Sequence, residues 1–299
     1  MTTVRELLAD GIERFERAGL VYGHGTTNAL DEAAWLILHA AGLPLTDLNP
    51  NLDRALTPAQ AKAARALLAR RVRTRKPAAY LTHEAWLGRH RFYVDERVIV
   101  PRSYIFELLD GNNGVRHHLP SGKKMVSDTI ISVLDLCTGS GCLAILAALA
   151  YPRACIDAVD LSDDALAVAR RNVADYRLKG RIRLVKSDLF AALPGRAYDL
   201  IVSNPPYVKA ASMRGLPEEY RKEPSMALAS GRDGLDHTRV ILAAAREHLN
   251  PRGLLVVEIG HNRRALERAY PRLPFEWPAT SGGPGFVFTL RRESLPRSA

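Results

Sequence analysis

One stretch near the middle of the chain, Val133-Leu134-Asp135-Leu136-Cys137-Thr138-Gly139-Ser140-Gly141, restricts the fold more than any other. An apolar run enters a turn with two glycines and continues into a second apolar segment from Cys142. A strand that ends in such a turn and resumes as a helix is the unit of open α/β sheets, which bind small molecules at the carboxyl ends of their strands. Gly139 and Gly141 would let the main chain pass under a ligand where a Cβ would collide. The turn alone leaves the ligand open. A dinucleotide fingerprint carries a third glycine where this chain has Ala144, and a phosphate loop carries a lysine before Ser or Thr that is missing here. A tight structural turn is the remaining reading.

The next strand ends narrow the choice. Ala158-Val159-Asp160 puts a carboxylate after the second strand, placed to accept from ribose hydroxyls. Lys186-Ser187-Asp188 puts another after the third, where it can accept from an adenine amine. A single strand-end aspartate is usually a cap, but Asp135, Asp160 and Asp188 beside a glycine turn predict a nucleoside pocket. The fourth strand ends in Ser203-Asn204-Pro205-Pro206-Tyr207. Paired prolines cannot continue a central strand and fix the main-chain direction. Asn204 and the Pro205 carbonyl offer two acceptors for the N–H bonds of a planar nitrogen, and Tyr207 offers a flat surface. An amide nitrogen is a poor nucleophile, so it gains most from being oriented and sheltered from water.

Around these motifs the periodicity predicts strands over 132–136, 154–159, 181–186, 200–203 and 254–258, with helices over 143–150, 163–175 and 237–249. That alternation argues for a doubly wound, largely parallel sheet. Strands over 275–277 and 286–291, around Gly282-Gly283-Pro284-Gly285, predict a closing antiparallel hairpin. The first eighty residues instead read as helices. Val4, Leu7, Leu8, Ile12 and Phe15 share one face, Thr27 or Asn28 caps a second helix, and Thr57-Pro58 opens a third. That third helix ends in Arg70, Arg71, Arg73, Arg75 and Lys76, which suits the helix dipole or an acidic or RNA partner. A hairpin is predicted from 91–94 and 97–100, a short helix from Pro101 to about Asp110, and a linker over 112–128.

With 299 residues, 47% of them hydrophobic, the chain is long enough for two domains with a core. No apolar run approaches the ~18 residues of a membrane helix. Met1–Asp10 lacks the pattern of a signal peptide, so a cytoplasmic location is expected. Cys137, Cys142 and Cys155 have neither zinc nor disulfide spacing and read as buried free thiols. A net charge of +10 favours encounter with polyanions, including rRNA.

Taken together, the Asp-Leu-Cys-Thr-Gly-Ser-Gly turn, the strand-end acids and Asn-Pro-Pro-Tyr resemble the class I methyltransferases that act on planar nitrogens. More narrowly, the chain is similar to the protein-glutamine amide methyltransferase family. The likeness also rests on Val100-Pro101-Arg102-Ser103, on Pro217-Glu218-Glu219-Tyr220-Arg221-Lys222-Glu223-Pro224, on Ala227-Leu228, and on Ser230-Gly231-Arg232-Asp233-Gly234-Leu235-Asp236. Within the family it most resembles the branch that methylates a glutamine of large-subunit ribosomal protein L-three. A sister branch modifies the Gly-Gly-Gln loop of peptide chain release factors. Tyr104 departs from the pattern, standing where a small residue or proline is expected.

The resemblance covers nearly the whole chain and implies an α/β fold of the class I methyltransferase type: a doubly wound, mostly parallel sheet with an antiparallel C-terminal hairpin and a small helical N-terminal domain. It implies a substrate-recognition domain over 1–84, a hairpin and linker over 85–128, and an S-adenosyl-L-methionine-binding domain over 129–299. The cofactor site would comprise Asp135, Thr138, Gly139, Ser140, Gly141, Asp160, Asp188 and Asn204. Asn204, Pro205 and Tyr207 would be catalytic, Pro206 and Arg102 would add substrate contacts, and no metal is implied. Two other readings stand beside this one. The net charge and the basic run favour an exocyclic amine of RNA or DNA as acceptor, and a non-catalytic assembly factor would bind ribosomal components without the cofactor.

Overall fold

Thr3 opens the first helix with a capping box: its hydroxyl accepts from the Glu6 amide while the Glu6 carboxylate accepts from the Thr3 amide. In this computed structural model, which describes residues 2–45, 48–110 and 129–297, helix α1 runs Val4–Arg17. Helix α2 (Ala29–Ala41) is capped by Asn28 rather than Thr27. A second capping box, Thr57 with Gln60, starts α3 (Pro58–Thr74), and α4 (Ala78–Thr82) follows. Leu7, Leu8 and Phe15 of α1 meet Leu36 and Ile37 of α2 and Leu68 of α3 in one buried cluster. Each such side chain contributes about 1.5–3 kcal/mol when fully removed from water. The same cluster takes in Ala165 and Val168 from a helix of the sheet region, so the helical segment is docked onto the rest of the chain.

The predicted hairpin sits elsewhere than expected. Strands β1 (Ala85–Leu87) and β2 (His90–Phe92) pair across Gly88-Arg89, one strand earlier than the sequence reading placed it. Residues 97–100 form no strand. The Asp95 carboxylate gathers the Arg97 amide, the Arg97 guanidinium and the Tyr93 hydroxyl, which curls the chain. The Val100 amide then donates to Glu223 instead of to a neighbouring strand. The short helix predicted from Pro101 is confined to α5 (Ile105–Leu109). The linker predicted over 112–128 lies outside the described residues.

From residue 132 the elements alternate: β3 (Ser132–Leu136), α6 (Cys142–Ala150), β4 (Cys155–Asp160), α7 (Asp163–Asp175), β5 (Ile182–Lys186), β6 (Tyr198–Ser203), α8 (Ala210–Met213), α9 (Asp236–Ala244), β7 (Leu249–Glu258), α10 (Arg263–Ala269) and β8 (Val287–Arg291). The strand order is β5-β4-β3-β6-β7-β8, parallel throughout except for the antiparallel β7–β8 pair. The order in which successive strands are added therefore reverses between β3 and β6, the switch point where such folds open a crevice. The class I methyltransferase architecture expected from the sequence is thus present. Two predicted details change. Helix α9 stops at Ala244 rather than 249: residues 245–248 tighten into turns, with the Glu247 and His248 amides donating three residues back, and β7 begins at Leu249. The stretch 275–277 makes only a single bridge, Glu276 with Thr289, while the Phe275 and Trp277 rings pack on Phe288. The cysteines are free, but Cys155 at the start of β4 is exposed, and only Cys142 is fully buried.

The basic end of α3 splits by environment. Arg70 and Arg73 are exposed, Lys76 pairs with Glu96, and Arg71 is completely buried. Arg71 binds Glu32 at 2.7 Å and faces Glu219 at 3.5 Å; Arg75 reaches the same Glu219 at 3.0 Å. Glu219, itself fully buried, also accepts from the Val21 amide. This cluster fastens the segment after β6 to the N-terminal helices, and it takes Arg71 and Arg75 away from any outside partner. Removing one member of a buried pair strands the others without water. Glu219→Ala should therefore lower the unfolding free energy by about 3–5 kcal/mol in urea titration. A loss below about 1 kcal/mol, the range of surface pairs, would contradict the clamp.

Candidate active site

Two cavities open at the switch point. The first, of about 520 Å³, lies beyond the ends of β3, β4 and β5 and is lined by Gly139, Asp160, Asp188, Asn204 and Pro206. The second, of about 510 Å³, lies between the helical segment and the sheet and is lined by Arg102, Tyr104, Asn204, Pro205, Tyr207 and Glu258 among others. Both fall within the usual size of small-molecule sites. Asn204 borders both, as do Ile99 and Ala227. Its Oδ1 is buried and has no hydrogen-bond partner. A buried acceptor left unpaired in the protein is costly unless a ligand supplies the donor.

The predicted nucleoside residues divide into a lining and a brace. Gly139 (φ +55°) has open space where a Cβ would stand, so the left-handed backbone demands glycine and leaves the cavity side clear. Gly141 does a different job from the one expected. A Cβ there would come 3.2 Å from Ala169, so its absence permits α7 to pack against the turn. Asp135 is wholly buried behind the turn, where one oxygen accepts from the Thr138 hydroxyl (2.6 Å) and the Ala144 amide (2.9 Å). Burial pushes its carboxyl up to about 7, those two donors offsetting only part. Thr138 and Ser140 are also buried, and the Ser140 carbonyl accepts from Asn172 of α7. Asp160 lines the cavity and accepts from the Gly139 and Ser162 amides, while burial raises its carboxyl. Asp188 is exposed and also lines the cavity.

Among the predicted substrate contacts, Asn204, Pro205, Tyr207 and Arg102 line the second cavity, and Pro206 turns toward the first. Arg102 is in the wall but its fork is already engaged, bound at 2.5 and 2.7 Å by Glu223. Burial would raise the Glu223 carboxyl, yet Arg102 and His24 outweigh it and hold it near 2. His24, from the helical segment, lies 3.6 Å from Glu223. Tyr104 stacks obliquely on Phe286, whose ring also meets His261.

Sequence reasoning missed Glu258, Glu223 and His24. Glu258 closes an apolar strand, so the rule that found Asp160 and Asp188 could have found it too. Burial drives its carboxyl up to about 7 despite bonds from Ser103 and Tyr104. For Glu223 and His24 no local signal exists, since their partners lie far away in the chain.

Comparison with known proteins places the chain in a family. Residues 122–218 match the family model of the methyltransferase small domain, and residues 6–82 match the PrmC N-terminal domain. The chain is 57% identical to the ribosomal protein uL3 glutamine methyltransferase of Neisseria meningitidis serogroup B, over 99% of this chain and 95% of the relative. It is 52% identical to the protein of that name from Burkholderia pseudomallei, over 99% and 97%. Among solved structures, a ribosomal protein L11 methylase from Lactobacillus delbrueckii subsp. bulgaricus is 22% identical, with a TM-score of 0.40 over 66% of this chain and 78% of that one.

The brace behind the turn has a pH signature. A carboxyl whose folded value lies near 7, against 3.8 unfolded, binds its proton more tightly when folded. Its contribution is full below the unfolded value and is lost as pH rises through the folded one. Asp135→Asn should therefore flatten the decline in melting temperature between about pH 4 and 7. A variant with the wild-type slope across that window would refute this account of Asp135.

Proposed function

This chain belongs to the ribosomal protein uL3 glutamine methyltransferase family, and on that footing we propose that it moves a methyl group from S-adenosylmethionine to the side-chain amide nitrogen of a glutamine in uL3. The observation that carries the reading is Asn204, which borders both cavities and has a buried Oδ1 without a partner. The first cavity suits the methyl donor: the clear space at Gly139 admits a ligand close to the main chain, and Asp160 and Asp188 offer acceptors for a nucleoside. S-adenosylmethionine, when bound there, supplies an electrophilic methyl group.

The protein's own part is positioning. In this reading Asn204 Oδ1 and the Pro205 carbonyl accept the two N–H bonds of the glutamine amide, which turns the nitrogen toward the neighbouring cavity. Tyr207 packs the plane of the amide, and the Arg102–Glu223 pair with Tyr220 walls off water. Orientation and fixed dipoles of this kind supply most of the acceleration in such transfers. The amide proton leaves after the nitrogen has gained its methyl group and become far more acidic, so a strong base is not needed. The helical segment, held against the 217–224 stretch, forms the far side of the second cavity and is suited to receive a protein loop. The net charge of +10 favours meeting uL3 near rRNA, in the cytoplasm where ribosomes are assembled.

Intact-mass spectrometry after incubation with S-adenosylmethionine, with uL3 and a release factor offered separately, tests the substrate. One added methyl group mapping to a glutamine of uL3 is the expected result; modification of only the release factor would overturn it. Asn204→Ala should lower kcat by about 10²–10³-fold, as loss of one fixed dipole at the reacting group does. Its affinity for S-adenosylmethionine, measured by calorimetry, should change by less than about threefold, well under one decade of binding energy. An equal loss of binding and turnover would count against the assignment.

A further inference from the structure

The segment Glu258-Ile259-Gly260-His261-Asn262, which follows β7, holds Tyr207 at three points. Asn262 Nδ2 donates to the Tyr207 carbonyl at 2.7 Å and fixes its main chain. Gly260 (φ +53°) lies against the face of the ring: a Cβ there would stand 2.7 Å from it, so only glycine lets the chain pass. Glu258 meets the other end of the side chain, with the Tyr207 hydroxyl 3.4 Å from Oε1. That separation is long for a hydroxyl–carboxylate bond, as contacts in active sites often are before substrate enters.

Glu258 is itself held in one orientation. Its Oε2 accepts from the Ser103 hydroxyl at 2.6 Å and the Tyr104 amide at 2.9 Å, which aims Oε1 at Tyr207. The side chain is 2% exposed and borders the second cavity. Arg102, in the same wall, is bound by Glu223 and also favours the charged form of Glu258. Among the described residues, the Glu258 carboxylate accepts from the 103–104 turn and from Tyr207. It thus ties one wall of the cavity, residues 103–104, to the aromatic floor beside Asn204.

We propose that Glu258 is a positioning residue for methyl transfer: by holding the Tyr207 hydroxyl it fixes the ring on which the glutamine amide lies, and so the direction of the reacting nitrogen. This rests on the reading of the second cavity as the glutamine site. Glu258 exchanges no proton with substrate here and forms no bond to it. A merely structural brace would instead affect folding and leave turnover per folded molecule intact.

A double-mutant cycle of Glu258→Gln and Tyr207→Phe in the full chain separates these. Each single variant should lower kcat for uL3 about tenfold, since small misplacement of a reacting group is costly. KM for uL3 and affinity for S-adenosylmethionine should stay within about twofold, the mark of an interaction that matters for reaction and not for binding. The double variant should be no slower than the worse single one, because both changes break the same contact. Losses that multiply would overturn the proposal by making Glu258 act independently of Tyr207. So would a Glu258→Gln variant with lowered melting temperature and unchanged kcat. The same cycle read in melting temperature needs no substrate. Additive shifts there would overturn the contact itself, whereas a wild-type enzyme that leaves uL3 unmodified would remove the substrate reading and leave the contact to that melting cycle.

Discussion

Two buried carboxylates, Glu219 and Glu223, hold the catalytic region together with the helices that precede it. They sit four residues apart in the segment that follows Asn-Pro-Pro-Tyr. Glu219 is bound by Arg71 of α3 and by Arg75, which caps that helix, and Glu223 by Arg102, with His24 beside it. A buried charge is expensive to desolvate and tolerable only with close partners. Each glutamate therefore admits few arrangements of the helical segment around it. The second cavity is a consequence: its far wall exists because these pairs draw residues 23–27 and 99–104 over the ends of the strands.

On the sheet side the constraint is different in kind. The reversal between β3 and β6 leaves a crevice that no side chain fills. The turn after β3 is stiffened from behind by Asp135, Thr138 and Asn172, and the loop after β6 is stiffened by its prolines. Asn204 lies at the seam between the pocket made by strand ends and the pocket between the N-terminal helical segment and the sheet. A residue there is well placed to touch two ligands that must react with each other. The geometry thus suits a reaction whose difficulty is alignment of a weak nucleophile more than proton abstraction.

Much of this was legible in the sequence because it is local. The strand over 132–136 and the helix over 163–175 lie where the periodicity put them, the latter capped by Ser162. The glycine turn and Asn-Pro-Pro-Tyr meet at the switch point, as expected for adjacent strand ends. Other features depend on distant partners and left no local trace. The run 97–100 has strand-like composition, yet Glu223 claims its backbone from 123 residues away. Arg71 and Arg75 look like the solvated end of a helix until Glu219 is brought to them. The roles of Gly139 and Gly141 were alike in sequence and separate only when their neighbours are known, open space for one and Ala169 for the other. Glu258 was readable by the strand-end rule, but its significance lies in Ser103, Tyr104 and Tyr207, which come from three different parts of the chain.

The central claim is that methyl donor and glutamine amide occupy the two cavities that share Asn204. A crystal structure of the enzyme with S-adenosylhomocysteine and a glutamine-bearing fragment of uL3 tests it most directly. The account predicts the nucleoside beside Gly139, Asp160 and Asp188, and the amide nitrogen within about 3 Å of both Asn204 Oδ1 and the Pro205 carbonyl. A glutamine bound outside the Arg102–Tyr207–Glu258 cavity, or an Asn204 Oδ1 left unpaired in that complex, would contradict it.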